Sequence, residues 1–208
     1  MLLNHHISIL RKSPPQAPSN YCLQFLGNGH ITINPLNAFV DHRNNFMFSM
    51  EFKVTVFPIS GVSFLMNSCL DKSNNQIGIA ISNDTLFAQV NKGTGNVTEF
   101  YIPFDDERYW HTIILTNDRG SLSANLDDSP MLFNIAPSFN LPPDLGFRIA
   151  SSTAGNQFLT GLVDNIQITN LITPIAHYPL NEGSGTIAFD AVGNNDGSIM
   201  GGSWVVIN

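Results

Sequence analysis

Apolar and polar residues alternate along most of this chain, and the alternation is sustained between Phe46 and Phe57. There Phe46, Phe48, Met50, Phe52, Val54 and Val56 share one parity, while Ser49, Glu51, Lys53 and Thr55 share the other. A period of two sends successive side chains to opposite faces, which marks a strand with one face buried. The same reading applies to Tyr21, Leu23 and Phe25 against Cys22 and Gln24, and to Ile31 and Ile33 against Thr32 and Asn34. Shorter strands are predicted at Val62–Asn67, Gln76–Ser82, Thr85–Asn91, Val97–Ile102, Trp110–Thr116, Ser121–Leu126, Met131–Phe133, Phe147–Ser151 and Leu162–Thr169.

Turn-forming clusters punctuate these runs: Gly27-Asn28-Gly29, Asn74-Asn75, Ser82-Asn83-Asp84, Lys92-Gly93-Thr94-Gly95, Asn117-Asp118-Arg119-Gly120 and Asp127-Asp128-Ser129-Pro130. Many short strands at this spacing predict an all-β sandwich or barrel. No segment carries a sustained helical stripe, and a single helical turn is predicted around Asp105–Tyr109. Residues Met1–Asn20 read as an arm, ending in the stiff Pro-rich stretch Ser13 to Ser19. The sandwich proper is assigned to residues 21–173. From Pro174 to Asn208 the chain is rich in Gly and Asn, with strand-like pieces at Ile175–Leu180, Ser198–Met200 and Trp204–Ile207. That tail has too little apolar material for its own core, so it folds back on the sandwich or completes a neighbour.

Composition narrows the function classes. Hydrophobic residues make up 43% of the 208 and charged residues 12%, which excludes a disordered chain. The net charge of −7 and the lack of a basic run beyond Arg11-Lys12 argue against nucleic acid and anionic membranes as partners. Two cysteines, Cys22 and Cys69, do not make a disulfide framework and leave the pairing open. Met1-Leu2-Leu3 is cut off by Asn4-His5-His6, so no cleavable secretory signal is expected, and no stretch reaches the length of a membrane span.

The order of particular segments resembles a known family. Cys22 to Ile33 (Cys-Leu-Gln-Phe-Leu-Gly-Asn-Gly-His-Ile-Thr-Ile) is similar to the opening strand pair of laminin-G-like jelly rolls. Phe48 to Phe52 resembles their next core strand, Trp110 to Asp118 their Trp-His strand, Leu122 to Asp127 the strand after it, and Gly161 to Ile168 the closing strand. A further segment, Tyr178 to Thr186 with Phe189-Asp190 and Asn194 to Ile199, resembles one that normally precedes such a domain and here follows it. The resemblance implies an all-β, two-sheet antiparallel jelly-roll sandwich of the concanavalin A-like kind. It also implies a binding or assembly protein, with a surface glycan as a partner. Phage tail and capsid proteins often resemble this family. The expected setting is therefore a bacteriophage virion surface or the exterior after lysis, with other virion or self subunits met through the N-terminal arm.

Catalysis is not expected. Concanavalin-like glucanases, which resemble this fold, cleave with carboxylates in a Glu-x-Asp-x-x-Glu pattern, because one must protonate the leaving oxygen while another attacks or activates water. The four glutamates, Glu51, Glu99, Glu107 and Glu182, have no acidic residue two positions on. No serine sits in a Gly-x-Ser-x-Gly elbow, His5-His6 matches no zinc spacing, and Gly93-Thr94-Gly95 opens no helix. His111 reads as a packing residue at a strand edge, and Trp110 and Trp204 read as core. Calcium is the one metal in view: Asp164 matches by motif an Asp that helps hold structural calcium in related glucanases, the alternative being a hydrogen bond to a nearby backbone. Leu26 stands where the family has Asp, which narrows any such site. A glycan site needs an aromatic platform with amide and carboxylate groups on exposed loops. The candidates are Asp41, Asn44, Asn74, Asn75 and Asn156 on loops, with Tyr101 or Tyr109 as the ring. The sequons at Asn83 and Asn96 are read as coincidental without a secretion signal.

Overall fold

A computed structural model describes residues 21–34, 45–58, 61–68, 76–83, 85–91, 97–104, 109–119, 121–127, 129–132, 146–152 and 154–207. Fourteen strands follow one another, with no helix among the described residues: β1 Tyr21–Ile33, β2 Asn45–Val54, β3 Ser63–Ser68, β4 Gln76–Ser82, β5 Thr85–Asn91, β6 Val97–Pro103, β7 His111–Asp118, β8 Ser121–Leu126, β9 Ser129–Leu132, β10 Phe147–Ile149, β11 Thr160–Thr169, β12 Pro174–Tyr178, β13 Ile187–Ala188 and β14 Gly197–Val206. The strand order is β6-β5-β4-β3-β10-β1-β11-β2-β7-β8-β9, with β12 on β11 and β14 on β1. All pairings among the described strands are antiparallel, and the continuous sheet curls into two layers joined through β1. This is a jelly-roll β-sandwich.

The curl is made inside one strand. Leu23 to Leu26 pair with Val163 to Thr160 of β11, whereas Ile31 to Ile33 pair with Ile149 to Phe147 of β10. Between these halves the register slips against β14, and Gly27 adopts φ +80°. A bulge with glycine in the left-handed region bends a strand without ending it. The Gly27-Asn28-Gly29 signal, which predicts a turn between two strands, is thus the corner of one 13-residue strand. The first layer is β6-β5-β4-β3-β10 with the second half of β1. The second is the first half of β1 with β11-β2-β7-β8-β9.

The core lies between the layers. β2 buries every second residue, Phe46, Phe48, Met50, Phe52 and Val54, as its alternation predicts, while Val56 beyond the strand is exposed. Phe48 of the second layer stacks on Phe147 of the first at 6.0 Å between ring centroids, and Phe52 meets Phe104 at 5.6 Å. His111 packs against the edge of Phe104 and anchors the β7–β8 end, its Nδ1 lying 2.6 Å from Oδ2 of Asp127. Cys22 is a buried free thiol whose pKa burial, aided by the nearby Asp164 charge, pushes up to about 12. Trp110 and Trp204 are only partly buried rather than core. The Trp204 ring packs on the core, while its Nε1 reaches outward to donate to the Gly185 carbonyl at 3.0 Å. The helical turn expected at Asp105–Tyr109 lies largely outside the described residues.

The tail folds onto its own chain. β12 pairs with β11, Ile166 opposite Tyr178, and β14 runs along both halves of β1 from Thr32↔Ser198 to Tyr21↔Val206. The two tail pieces read as Ser198–Met200 and Trp204–Ile207 are one strand, carried past Gly201 at φ +66°. Backbone passes over backbone there: a Cβ on Gly29 would lie 2.6 Å from the Met200 carbonyl oxygen, so only glycine fits.

Candidate functional site

A polar row and an aromatic row lie side by side on the face of the first layer that points away from the main core. In β1 and β10 the residues between Ile31, Ile33, Phe147 and Ile149 are Thr32 and Arg148, and in β3 Asn67 follows the core residue Met66. Register lines them up across the strands: Ser198, Thr32, Arg148, Asn67 and Gly78 are successive neighbours on β14, β1, β10, β3 and β4. Gly78 places no side chain over the sheet beside Asn67. Asn67 is 4% exposed, and its Oδ1 has no hydrogen-bond partner among the described residues. A buried amide oxygen left unsatisfied costs about 1–3 kcal/mol, so its position asks for a donor.

Next to this polar row runs an aromatic one. Phe64, Ala80, Phe87 and Tyr101 are successive partners across β3, β4, β5 and β6. Phe64, Ala80 and Phe87 form a small buried cluster of their own, apart from the main core. The Tyr101 ring lies 6.1 Å from that of Phe87 and is 58% exposed. Four strand spacings separate β10 from β6, roughly 19 Å at about 4.8 Å each. Along that span Asn67, Phe64, Ala80 and Phe87 are buried, and it is Tyr101 at the β6 end that stands exposed.

The segment after β10 borders the polar end. Ala150 turns the chain at φ +65°, and Leu159 returns with its N–H on the Ala150 carbonyl at 2.8 Å. Inside this loop Ser152 Oγ donates to Asn156 Oδ1 at 3.0 Å, and Arg148 Nη1 reaches the Ser152 carbonyl at 3.5 Å. The His30 ring stacks beside Phe158 at 6.5 Å. Burial lowers the His30 pKa, and the Arg148 charge lowers it further. The His177 pKa is also lowered, by burial, against an opposing pull from Asp190. A histidine whose folded pKa lies below its unfolded value of about 6.5 takes its proton first in the unfolded chain. The stability it contributes at pH 7 is therefore lost as the pH falls through 6.5 toward the folded value. Melting curves from pH 7.5 to 5.5 should show Tm falling, and the His30→Gln/His177→Gln double variant should show a shallower fall. An unchanged slope in the variant would place the acid sensitivity elsewhere.

The residues expected from sequence distribute unevenly. Asp41, Asn44, Asn74 and Asn75 lie outside the described residues. Tyr101 and Asn156 sit at opposite ends of the outward face just described. Arg148, Asn67 and Thr32 were missed as candidates, although parity pointed to two of them: Thr32 stands between Ile31 and Ile33, and Arg148 between Phe147 and Ile149.

Asp164 belongs to the other layer. It is 5% exposed and sits at a bulge of β11, where Asn165 turns at φ +45° and donates its N–H to Asp164 Oδ1 at 2.9 Å. Calcium needs six to eight oxygen ligands, and no group of three or more His, Cys, Asp or Glu able to hold a metal occurs among the described residues. Among the described residues, Asp164 Oδ1 is engaged in holding the β11 bulge. Beside it Asn165 joins three strands. Its Nδ2 donates to Glu51 Oε1 at 2.9 Å, and its Oδ1 accepts from Gln167 Nε2 at 3.0 Å and from His177 Nε2 at 2.9 Å. Glu51 is thereby engaged in holding strands together.

No protein-family model matches the chain, and no curated protein matches it by sequence. Solved structures do share its fold. Mouse laminin alpha1 chain, domains LG4-5, superposes with a TM-score of 0.58 at 15% identity, over 86% of this chain and 45% of that one. The LG1-3 region of the laminin alpha2 chain gives 0.60 at 15%, over 92% and 36%. The CBM40 of a Ruminococcus gnavus IT-sialidase gives 0.57 at 12%, over 72% and 89%. The chain spans less than half the length of either laminin structure. At these identities the likeness is one of fold: a laminin-G/concanavalin A-like jelly roll.

Proposed function

We propose that this laminin-G-like jelly roll is a non-catalytic carbohydrate-binding module, and that it binds through the outward face of its first layer. The observation that carries this reading is the exposed Tyr101 ring, which ends an aromatic row on a sheet face whose neighbouring polar row includes Thr32 and Arg148. A sugar presents hydroxyls around its rim and C–H groups on its faces. It can lie with its C–H face on the exposed ring while its hydroxyls meet polar groups along the face. The likeness to a CBM40, a carbohydrate-binding module by its name, and to laminin LG domains supports the same choice. The setting we propose is an exterior surface, that of a bacteriophage particle included, where such a module would meet host glycans.

The test is a glycan array probed with the purified full chain, once with calcium and once with chelator. We expect saturable binding to one class of sugar, unchanged by chelator because the contact rests on the Tyr101 ring and on hydrogen bonds rather than on a metal. Tyr101→Ala should weaken it by about tenfold, the loss of roughly 1–1.5 kcal/mol of ring contact. Absence of binding in both conditions by a well-folded sample would sink the proposal and leave a particle-assembly role without a glycan ligand.

A further inference from the structure

We infer that the open edge of β14 takes a second copy of this chain, the two β14 strands pairing antiparallel about a two-fold axis. β14 has β1 along one side, from Thr32↔Ser198 to Tyr21↔Val206. On its other side β13 covers only Gly197 and Ser198, and the Thr186 carbonyl accepts from the Ile199 N–H. From Gly202 to Val206 the strand holds unbroken register with β1, Phe25↔Gly202 to Tyr21↔Val206. Alternate residues of such a strand turn their N–H and C=O groups away from the neighbour they pair with. No backbone group among the described residues meets those of this stretch on the side away from β1.

Natural sheets blunt an open edge with charge, proline or shortness. The other outer strands of the described sheet follow that rule: β6 includes Glu99 and ends at Pro103, β9 includes Pro130, β12 starts at Pro174, and β13 has two residues. β14, Gly-Ser-Ile-Met-Gly-Gly-Ser-Trp-Val-Val, has neither charge nor proline over its 10 residues. Exposed apolar side chains accompany it: Met200 and Val206 on the strand, Ile187 on β13 and Phe189 just after it. The strand also suits a copy of itself. A two-fold axis sets residues of one strand against residues of the same strand, so any charge there would meet its like. β14 brings none, whereas the chain as a whole carries −7 and repels its copies elsewhere. Residues opposite each other in an antiparallel pair face the same side of the sheet. A register centred on Ser203 satisfies this and sets each Trp204 opposite the other copy's Gly202, and each Val205 opposite its Gly201, so every large side chain meets a glycine. Exposed Ser203 meets itself at the axis. The pair joins two second layers into one sheet and requires no glycan.

Sedimentation equilibrium of the full chain, from about 1 to 100 μM, is the experiment. We expect a reversible monomer–dimer equilibrium within that range. Ser203→Lys and Ser203→Glu each set a charge against its like at the axis, so either alone should raise the dimer Kd by at least about tenfold. An equimolar mixture of the two variants should recover the dimer, because unlike charges then meet. Thermal melts at the lowest concentration, where all three proteins are monomers, check that each variant is folded. A chain that stays monomeric throughout would overturn the inference. So would a dimer that both variants leave intact, since the contact would then lie away from β14. Weakened dimers that the mixture fails to recover would overturn it too, because the edge would then be taken by a different segment of the second copy.

Discussion

A chain cut after Thr173 is expected to show no cooperative unfolding transition. The residues removed look dispensable by composition, yet they close the sandwich. Tyr178, Leu180, Ala188 and Ile199 all belong to the core. Burying three large apolar side chains at about 1.5–3 kcal/mol each amounts to roughly 5–9 kcal/mol, comparable with the whole stability of a domain, about 5–15 kcal/mol. The cut would also strip β14 from both halves of β1, opening Leu23, Phe25 and Ile31 to water along with a row of unpaired N–H and C=O groups. Near-ultraviolet circular dichroism and thermal melts of the full and shortened chains decide the matter. A shortened chain with a native-like spectrum and a sharp melt would show the tail to be an appendage.

Tyr178→Ala should be the most damaging single substitution in the tail, at about 3–5 kcal/mol, the usual cost of removing a buried aromatic ring. Tyr178 is among the largest fully buried side chains, and its hydroxyl donates to the Asn195 carbonyl at 2.6 Å. Burial, with Asp190 and Asp196 nearby, pushes its pKa above the ordinary tyrosine value, so it stays a neutral donor. The loop it holds is organised around Asp190. Burial alone would raise that carboxyl's pKa, but the N–H groups of His177, Gly193, Val192 and Asn195 pull it below the ordinary range. Tyr178→Phe keeps the ring and strands one carbonyl, so it should cost about 1–2 kcal/mol. Urea unfolding of the three proteins separates the terms. A loss below 1 kcal/mol for the alanine variant would mean that the cavity collapses freely and the ring does not hold the tail.

These two results bear on the binding face as well. Ser198 of β14 is the register neighbour of Thr32, so the tail forms one border of the polar row. Glycan binding by any tail variant is therefore interpretable only alongside its stability.

How much was legible in the sequence varies with the physics of each feature. Strand identity and facing were legible because a pleated strand with one wet side imposes a period of two, and β2, β4, β5 and β8 lie where alternation and turn residues place them. The jelly-roll architecture followed from the ordered segments between Cys22 and Ile168. Alternation also held the signal for Thr32 and Arg148, since each stands between two core residues. It could not rank them above every other outward residue, because parity says which side a residue faces and not what lies across from it on the next strand.

Tertiary structure decided the rest. Gly27 to Gly29 read locally as a turn, yet glycine serves a turn and a bulge equally well, and only pairing with β10, β11 and β14 keeps β1 extended through the corner. The tail's partner was open because a Gly-rich strand buries few side chains, and what holds it is backbone pairing along β1, which leaves no trace in hydropathy. Asn67 reads as an ordinary strand asparagine. Its place beside Arg148 and Thr32 is visible only because residues from β1, β10 and β3, far apart in the chain, lie side by side in the sheet. Short-range sequence determines the period and the turns, whereas the meeting of Thr32, Asn67 and Arg148 depends on long-range register, which only the folded sheet fixes.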